Sequence, residues 1–535
     1  MHICSLTADT DTFSGTENND LFEGTTANLS ANDRIIDSTT TDNDVFNLTA
    51  TADPVAMDVL NIENINIDWD AFGTPDIDLG NVIGATVTLS SDKSGYLGNA
   101  NFTNVDRNNV TISDGITGKV SIAGSSDSTI NAGNADELDI TTASRDLTVN
   151  ADNTATVSVA NDVDNLTMTA VTATDVTGYA NRTADITLGA DADFAFTGGG
   201  ELTLNSAEDI QLDVAGGVDF DTLTLAGEGA ITLKFLDTTD IDAQEIVDGG
   251  AIILADNFGA ATLDLESVEH TSITFESAQT GTGTGQVFTL ATGANLVLEA
   301  DFGQDATFQT STSNDADTGD VLNLTLQSDQ TAKLITQAAA GTNNFETVNV
   351  TVDADAVDNA TDITIADIQA GTEKVTFTSA TNDFTVTDID ASEIDATAVA
   401  GDFTITGQTT DADMQVNGGS ADNTVTFAGT DKENIFIGQD GDDTIKFVTD
   451  TGEATAIVNA GDNSVDGDAL TSGQLTVQSG EGDDSVTAAA LTSGTLSLQL
   501  GAGNNEVTFA GAATLNGATV AITTGNGDDT VKIGG

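Results

Sequence analysis

Short apolar-polar-apolar elements recur along the chain at nearly constant spacing, separated by glycine, asparagine, aspartate and serine. Alternation with a period of two predicts very short β-strands that bury one face, and the residues between them are turn formers. Strands this short gain stability by stacking coil upon coil, so the pattern predicts a β-solenoid. In segment 110–168 the elements begin at Val110, Val120, Leu138, Leu147, Val157 and Leu166, with successive steps of 10, 18, 9, 10 and 9, and with a weaker copy at Ser128-Thr129-Ile130.

The C-terminal segment repeats with a period of 21 along the chain. The element Leu475-Thr476-Val477 returns as Leu496-Ser497-Leu498. The corner Gly480-Glu481-Gly482-Asp483-Asp484 returns as Gly501-Ala502-Gly503-Asn504-Asn505. Related corners end at Asp443, Asn463 and Asp529 and extend the column with steps of 20, 21 and 24. Five corners therefore share one pattern.

The spacing also suits a chain of antiparallel β-sandwich domains, because strands about every 8 to 12 residues are typical of that fold. Asn-Gly or Asp-Gly hairpin turns should then separate strand pairs systematically, and they do not. We therefore expect an all-β, elongated, multi-domain chain built mainly as a parallel β-solenoid or β-roll, with the sandwich chain as the alternative.

The charge of the chain is strongly one-sided. Eighty-seven Asp and Glu against 12 Lys and Arg give a formal net charge of −75. A compact fold with this charge repels itself unless it is extended, highly salted or neutralised by bound cations. Phosphate binding needs clustered Lys and Arg, so nucleic acid is not an expected partner.

The remaining composition excludes other classes. Apolar residues make up 39% of the chain in a regular pattern, which argues against disorder. No apolar run approaches the roughly 20 residues of a membrane helix, so no membrane insertion is expected. The N-terminus shows no Sec-type signal, so we expect another export route. Cys4 is the single cysteine, which excludes an intrachain disulfide.

The repeated corners predict calcium sites. In a solenoid, corners one turn apart lie about 4.8 Å from each other, so their carboxylates stack. Two bare charges at that distance repel by about 1 kcal/mol in water and about 3 to 4 kcal/mol near a protein surface. Calcium takes six to eight oxygen ligands and removes this repulsion, while glycine permits the sharp turn. The candidate ligands are Asp440, Asp442, Asp443, Asp462, Asn463, Asp483, Asp484, Asn504, Asn505, Asp528 and Asp529.

The corners match the nonapeptide Gly-Gly-x-Gly-x-Asp-x-apolar-x. With Gly441 as its third glycine, Asp443 takes the aspartate position and Ile445 the apolar position. At Asn463 and Asn505 the aspartate is replaced by asparagine, which lowers the ligand charge. A looser copy near the N-terminus places Asn18 at the third glycine and Asp20 at the aspartate, and predicts a terminal calcium site.

These residues resemble the RTX-type calcium-binding proteins of Gram-negative bacteria, and more narrowly the surface-layer (S-layer) proteins among them that leave by type I secretion. Segments 11–24, 42–49 and 62–67 look like the opening that such proteins share. The resemblance implies a calcium-dependent two-dimensional lattice on the outer membrane, often anchored to lipopolysaccharide through the N-terminal region. The chain departs from the family in spreading its nonapeptides one per long turn and in lacking a recognisable secretion segment after Val531.

The expected organisation has four segments. These are an N-terminal RTX-like β segment and anchor at 1–80, solenoid repeats at 81–240, further β domains at 241–410, and a C-terminal calcium-binding RTX-like solenoid at 411–535. An anionic surface glycan is expected to bind, if anywhere, within segment 1–182, through calcium or through the six bases there. Those bases are Arg34, Lys93, Arg107, Lys119, Arg145 and Arg182.

The sequence is poor in catalytic residues. Its two histidines, His2 and His270, lie far apart, which excludes a His-Glu-x-x-His zinc motif and leaves His270 as the sole internal histidine for general-base chemistry. We therefore expect no enzyme activity and hypothesise an extracellular S-layer subunit that assembles with copies of itself. The alternatives are an RTX-type adhesin or biofilm-matrix protein and a β-helical polysaccharide-acting enzyme.

Overall fold

The computed structural model describes most of the chain. The described residues are 2–56, 58–93, 98–113, 115–160, 162–189, 192–207, 210–214, 220–226, 231–235, 244–247, 252–254, 262–265, 272–276, 278, 286–303, 305–310, 319–335, 345–352, 363–407, 413–428, 432–448, 451–489, 491–510 and 517–533.

The described residues form an all-β fold whose paired strands run parallel and stack as a β-solenoid. This confirms the fold class that the spacing predicts. The antiparallel sandwich alternative is wrong, because the strand pairs recorded among these residues are parallel ones. No helix in the described part of the chain is long and apolar enough to cross a bilayer.

Residue contacts divide the chain into two units, Met1–Thr239 with Gln244–Ile253, and Asp240–Ala243 with Leu254–Gly535. The four segments expected from the sequence stay predictions.

The first unit contains strands β1 to β24. Their bounds are β1 (Ile3–Ser5), β2 (Thr12–Ser14), β3 (Leu21–Thr25), β4 (Arg34–Ile36), β5 (Val45–Ala50), β6 (Asp58–Leu60), β7 (Asn64–Trp69), β8 (Asp76–Asp78), β9 (Val82–Ile83), β10 (Thr86–Ser90), β11 (Ala100–Thr103), β12 (Asn109–Ile112), β13 (Lys119–Asn131), β14 (Glu137–Asn150), β15 (Thr156–Val159), β16 (Val163–Ala170), β17 (Asp175–Gly178), β18 (Thr183–Leu188), β19 (Asp193–Phe196), β20 (Gly200–Ser206), β21 (Ile210–Val214), β22 (Phe220–Ala226), β23 (Ile231–Phe235) and β24 (Gln244–Val247).

Strand β25 (Ile252–Leu254) includes residues of both units, and the second unit contains the strands that follow. Their bounds are β26 (Thr262–Leu265), β27 (Ile273–Phe275), β28 (Gln286–Leu290), β29 (Ala294–Leu298), β30 (Ala306–Gln309), β31 (Val321–Leu326), β32 (Gln330–Ile335), β33 (Thr347–Val352), β34 (Ile363–Ser379), β35 (Phe384–Val386), β36 (Ile389–Val399), β37 (Phe403–Ile405), β38 (Met414–Asn417), β39 (Asn423–Phe427), β40 (Glu433–Ile437), β41 (Thr444–Phe447), β42 (Glu453–Ile457), β43 (Ser464–Gly467), β44 (Ser472–Gln478), β45 (Ser485–Ala489), β46 (Ser493–Gln499), β47 (Glu506–Ala510), β48 (Ala518–Thr523) and β49 (Thr530–Ile533).

The observed register agrees with the repeat in the sequence. From β35 to β49 each strand pairs with the strand two positions away, so one turn contributes two strands to two parallel columns. Leu475 lies beside Leu496, and Val486 lies beside Val507, which is the interval of the sequence repeat. Thr444 lies beside Ser464 and Glu506 beside Thr530, at the shorter and the longer step that the sequence predicts.

The core consists of apolar ladders that run from turn to turn. One ladder in the first unit contains side chains that are at most 1% exposed, and each member lies beside the next in register. Its members are Phe22, Phe46, Ile65, Val87, Val110, Ile130, Val149, Met168, Ile186 and Leu204. Burial of the same position in every turn supplies the hydrophobic free energy that a three-residue strand cannot supply alone.

Glycine is required at one position of each C-terminal corner. The residues at this position have φ between 110° and 149°, a region that side chains with a Cβ rarely adopt. A Cβ added to any of them would lie 1.8 to 2.5 Å from a carbonyl oxygen of the previous turn. Both effects favour glycine at Gly441, Gly461, Gly482, Gly503 and Gly527.

We expect Gly482→Ala to destabilise the second unit by about 3 to 5 kcal/mol, because φ is 139° and the new Cβ would lie 2.0 Å from the Gly461 carbonyl oxygen. Gly517→Ala is the control, since φ is 93° but no atom of the described residues lies within 4 Å of its added Cβ. It should cost about 1 to 2 kcal/mol. Denaturant unfolding of both variants measures the difference, and equal costs would contradict this account of the corner.

Candidate metal sites

The C-terminal corners arrange the predicted ligands in two columns. An inner column is at most 2% exposed, apart from half-buried Asp529, and an outer column is exposed, apart from half-buried Asp383. Asp440 is exposed in its corner and belongs to neither column. The inner column is Asn423, Asp443, Asn463, Asp484, Asn505 and Asp529; the outer column is Asp383, Asp402, Asp422, Asp442, Asp462, Asp483, Asn504 and Asp528.

The inner column is a hydrogen-bonded ladder in which asparagine and aspartate alternate. The backbone N–H and the Nδ2 of Asn463 both donate to Asp484 Oδ1, at 3.1 and 2.9 Å. The Asp484 N–H donates in turn to Asn505 Oδ1 at 3.1 Å. Asn423 binds Asp443 in the same way, at 3.0 and 2.8 Å. Because every second turn carries an amide, buried carboxylates lie about two strand spacings apart and repel less.

One oxygen of each internal carboxylate lacks a partner. Asp443 Oδ2 and Asp484 Oδ2 are buried without a hydrogen bond. On the asparagine turns the corresponding atom is Nδ2, which at Asn463 donates to the Gly461 carbonyl oxygen at 2.9 Å. An oxygen cannot donate there, so the aspartate turns need a proton or a cation. Burial, together with the charges of neighbouring aspartates, raises the pKa of Asp443 to about 6 against the hydrogen bonds from Asn423.

The outer column is a second ladder, in the opposite direction. The Asp442, Asp462 and Asp483 N–H groups each donate to the Oδ1 of the preceding turn, at 2.8, 2.7 and 2.7 Å. Here six aspartates follow one another, from Asp383 to Asp483, before Asn504 interrupts the series. Consecutive carboxylates therefore lie about one strand spacing apart on the surface, which is a favourable arrangement for divalent cations.

A further group of acids lies at the N-terminal corner, where Asp20, Asp44 and Glu63 directly precede strands β3, β5 and β7. The Asp20 N–H donates to Asp44 Oδ1 at 2.7 Å, and the Asp44 N–H donates to Glu63 Oε2 at 2.8 Å. This is the same kind of ladder as the inner column, but its three consecutive members are all acids. Asp37, which follows β4, lies against it.

The acids of this corner form two overlapping triplets. One oxygen from each of Asp20, Asp37 and Asp44 lies within 4.8 Å of the others, and these residues are 2%, 2% and 0% exposed. Asp42, Asp44 and Glu63 form the second triplet by the same distance. Asp37 Oδ1, Asp42 Oδ2 and Asp44 Oδ2 are buried without a hydrogen-bond partner. An all-oxygen, multiply charged set of this kind fits Ca²⁺.

The pKa values of the corner differ from residue to residue. Burial acts to raise the pKa of Asp20, but hydrogen bonds from the His2 and Thr16 N–H groups outweigh it, so the pKa falls below its usual value. Burial, together with the nearby charges of Asp37, Asp42 and Glu63, raises the pKa of Asp44 to about 6 against the hydrogen bond from the Asp20 N–H.

The structure places the two N-terminal residues predicted from the sequence differently. Asp20 is buried in the cluster, whereas Asn18 is exposed and its main chain binds the Thr16 hydroxyl. Sequence reasoning missed the other cluster members, Asp37, Asp42, Asp44 and Glu63. One available signal was the repetition of Asn19-Asp20-Leu21-Phe22 as Asn43-Asp44-Val45-Phe46, whose strands pair in register.

Most of the N-terminal bases pair with acids. Arg34 pairs with Asp58, Lys93 with Asp70, Lys119 with Glu137 and Asp139, and Arg145 with Asp127. Arg107 and Arg182 have no ion pair within the described residues. Arg107 and Arg145 line a cleft of about 350 Å³ with serine and threonine side chains. His270 lies outside the described residues.

Comparisons with protein-family models, with curated proteins and with solved structures found no match to this chain. The fold and the corners alone therefore define its class, a parallel β-solenoid protein with stacked acidic corners.

We expect the metal-free protein to lose stability as the pH rises from about 4 to about 6, because a raised pKa at Asp443 means that the folded state binds more protons than the unfolded state in this window. Asp443→Asn should remove that contribution and stabilise the second unit by about 1 to 3 kcal/mol at pH 7.5. Denaturant unfolding in chelator, at about pH 4 and at pH 7.5, measures the free energy of unfolding of each protein. Exposed Asp440→Asn, at a residue that belongs to neither column, is the control, and equal stability of wild type and Asp443→Asn at pH 7.5 would refute the burial cost.

A comparison of wild type with Asp443→Asn also tests the predicted corner calcium site. If Asp443 binds calcium, added calcium stabilises the wild type more than Asp443→Asn, which lacks the charge. An identical gain in both proteins would remove Asp443 from the ligand set.

Proposed function

We propose that this chain is a secreted structural protein of the RTX type, a subunit of a calcium-dependent S-layer lattice on the outer surface of a Gram-negative bacterium. Its main partner is a second copy of itself. The proposal assigns it no catalytic step, no nucleic-acid partner and no membrane insertion.

The observation that carries the proposal is the exposed outer column of aspartates. Consecutive turns hold the carboxylates of Asp422, Asp442 and Asp462 in line, each oriented by a backbone N–H of the next turn. A rigid row of surface carboxylates repels the same row on another copy. Calcium ions between two rows reverse the sign of that interaction, because each ion takes oxygen ligands from both sides. Contact between copies then depends on calcium.

A surface glycan is the second proposed partner. Arg107 has no ion pair within the described residues. It lines the cleft together with Asp106 and with Arg145, which is paired with Asp127. It is one of 12 basic residues on a chain whose formal net charge is −75. Arginine binds carboxylate and phosphate groups through paired hydrogen bonds, and the hydroxyl groups beside it suit a sugar. We therefore propose that an anionic group of lipopolysaccharide or a related glycan binds there.

Purified protein should form ordered sheets in millimolar-scale calcium and lose them in chelator, as seen by electron microscopy. Changing Asp422, Asp442 and Asp462 together to Asn should abolish or strongly reduce the sheets, because it removes three adjacent outer ligands. A control protein with Asp152, Asp175 and Asp185 changed to Asn has the same charge but should still assemble. A lattice that resists chelation would contradict the proposal, whereas monomers in calcium would favour the adhesin alternative.

Arg107→Gln should weaken capture of the protein by immobilised lipopolysaccharide at least about fivefold, because one charge-assisted interaction is lost. Arg34→Gln is the matched control, since Arg34 pairs with Asp58 away from the cleft. Equal loss in both variants would mean that capture depends on net charge alone.

A further inference from the structure

The N-terminal corner buries acids that no Lys or Arg of the described residues neutralises. Asp20, Asp37 and Asp44 are at most 2% exposed. No Lys or Arg side chain of the described residues pairs with any of the three, since Arg34, the nearest base in sequence, binds Asp58 instead. Buried carboxylates persist when they are paired, protonated or bound to a metal ion.

The C-terminal ladder shows how this fold compensates buried carboxylates without a full set of cations. There an asparagine separates each buried aspartate from the next and donates to it through Nδ2, as Asn463 does to Asp484 at 2.9 Å. The N-terminal ladder of Asp20, Asp44 and Glu63 has no amide between its acids. The partner that asparagine supplies at the C-terminal corners is therefore missing from these three turns.

Two carboxylate oxygens of the Asp20, Asp37 and Asp44 triplet are buried and unpartnered. Asp37 Oδ1 and Asp44 Oδ2 have no hydrogen-bond partner, and both residues belong to the triplet whose oxygens lie within 4.8 Å of one another. Gly15 leaves room for the acid side chains, because a Cβ added there would lie 2.1 Å from Asp37 Oδ1 and 3.2 Å from Asp20 Oδ2. The corner is thus a compact set of buried carboxylate oxygens, two of them without a partner, beside a glycine that leaves room for the acid side chains.

We propose that Asp20, Asp37 and Asp44 bind one divalent cation of the Ca²⁺ type. The ion would tie together two consecutive corners of the N-terminal solenoid, the one that holds Asp20 and the one that holds Asp37 and Asp44. Asp42 and Glu63 form the second triplet with Asp44 and add negative charge beside the site. Three carboxylates supply more charge than Na⁺ or K⁺ would balance, and hard oxygen ligands select Ca²⁺ over softer metals. Asp37 lies outside the repeated corner motif, so this ligand set differs from the one that the sequence predicts. The proposal does not depend on lattice formation.

The test is a calcium count on the purified full-length chain after exhaustive dialysis against calcium-poor buffer, combined with calorimetric titration of chelator-stripped protein. The wild type should retain one tightly bound ion, distinct from weaker sites on the exposed acids. Asp37→Asn should lower the affinity of that site at least about tenfold, because it removes a ligand charge and changes little in size. Asp9→Asn, which removes an exposed acid of the same segment, is the matched control and should keep the ion.

A second variant protects the test against misfolding of the first. Gly15→Ala leaves all the acids in place but puts a methyl group against Asp37, so it should weaken the same site without changing charge. A wild-type protein that retains no ion would overturn the proposal, and so would unchanged affinity in both variants. In those cases the acids share protons instead. Loss of the lattice with retention of the tight ion would count against the proposed function and leave this site intact.

Discussion

The repulsion between stacked carboxylates is the constraint on which the rest of this structure depends. A solenoid places the same position of successive turns about 4.8 Å apart, so any acid in a repeated corner meets its own copy. On the buried side of a corner, the repulsion between two such carboxylates costs far more free energy than it does in water. The chain has 87 acids and 12 bases, so ion pairs with Lys and Arg cannot neutralise all the carboxylates.

Different parts of the chain answer this constraint in different ways. On the surface, Lys446 pairs with Asp466 of the next turn at 2.7 Å, although an exposed pair of this kind contributes little. In the C-terminal corners asparagine alternates with aspartate, and Asn463 and Asn505 spare the buried column half of its charge. In the N-terminal corner neither device is present among the described residues, and we propose a bound cation there instead. The replacement of aspartate by asparagine that weakens the nonapeptide pattern is therefore also a stabilising feature of the ladder.

The fold could be predicted from the sequence to a large extent, because every turn repeats the same burial pattern. The short, regular steps between apolar elements locate strands, and the repeat that relates Leu475 to Leu496 gives the register. The distinction between inner and outer columns was also within reach, since Asp484 and Val486 share one face by the period of two. The N-terminal cluster was harder, because its turns differ in length and Asp37 comes from the opposite side of the corner.

The most direct test of the account is a crystal structure determined from crystals grown with calcium, with an anomalous difference map to locate the bound ions. The account predicts a peak bounded by oxygens of Asp20, Asp37 and Asp44, with coordination distances of about 2.3 to 2.6 Å. A corner without any peak at saturating calcium, with short hydrogen bonds between the carboxyl groups, would contradict it. Buried acids in this fold would then be neutralised by protons rather than by metal.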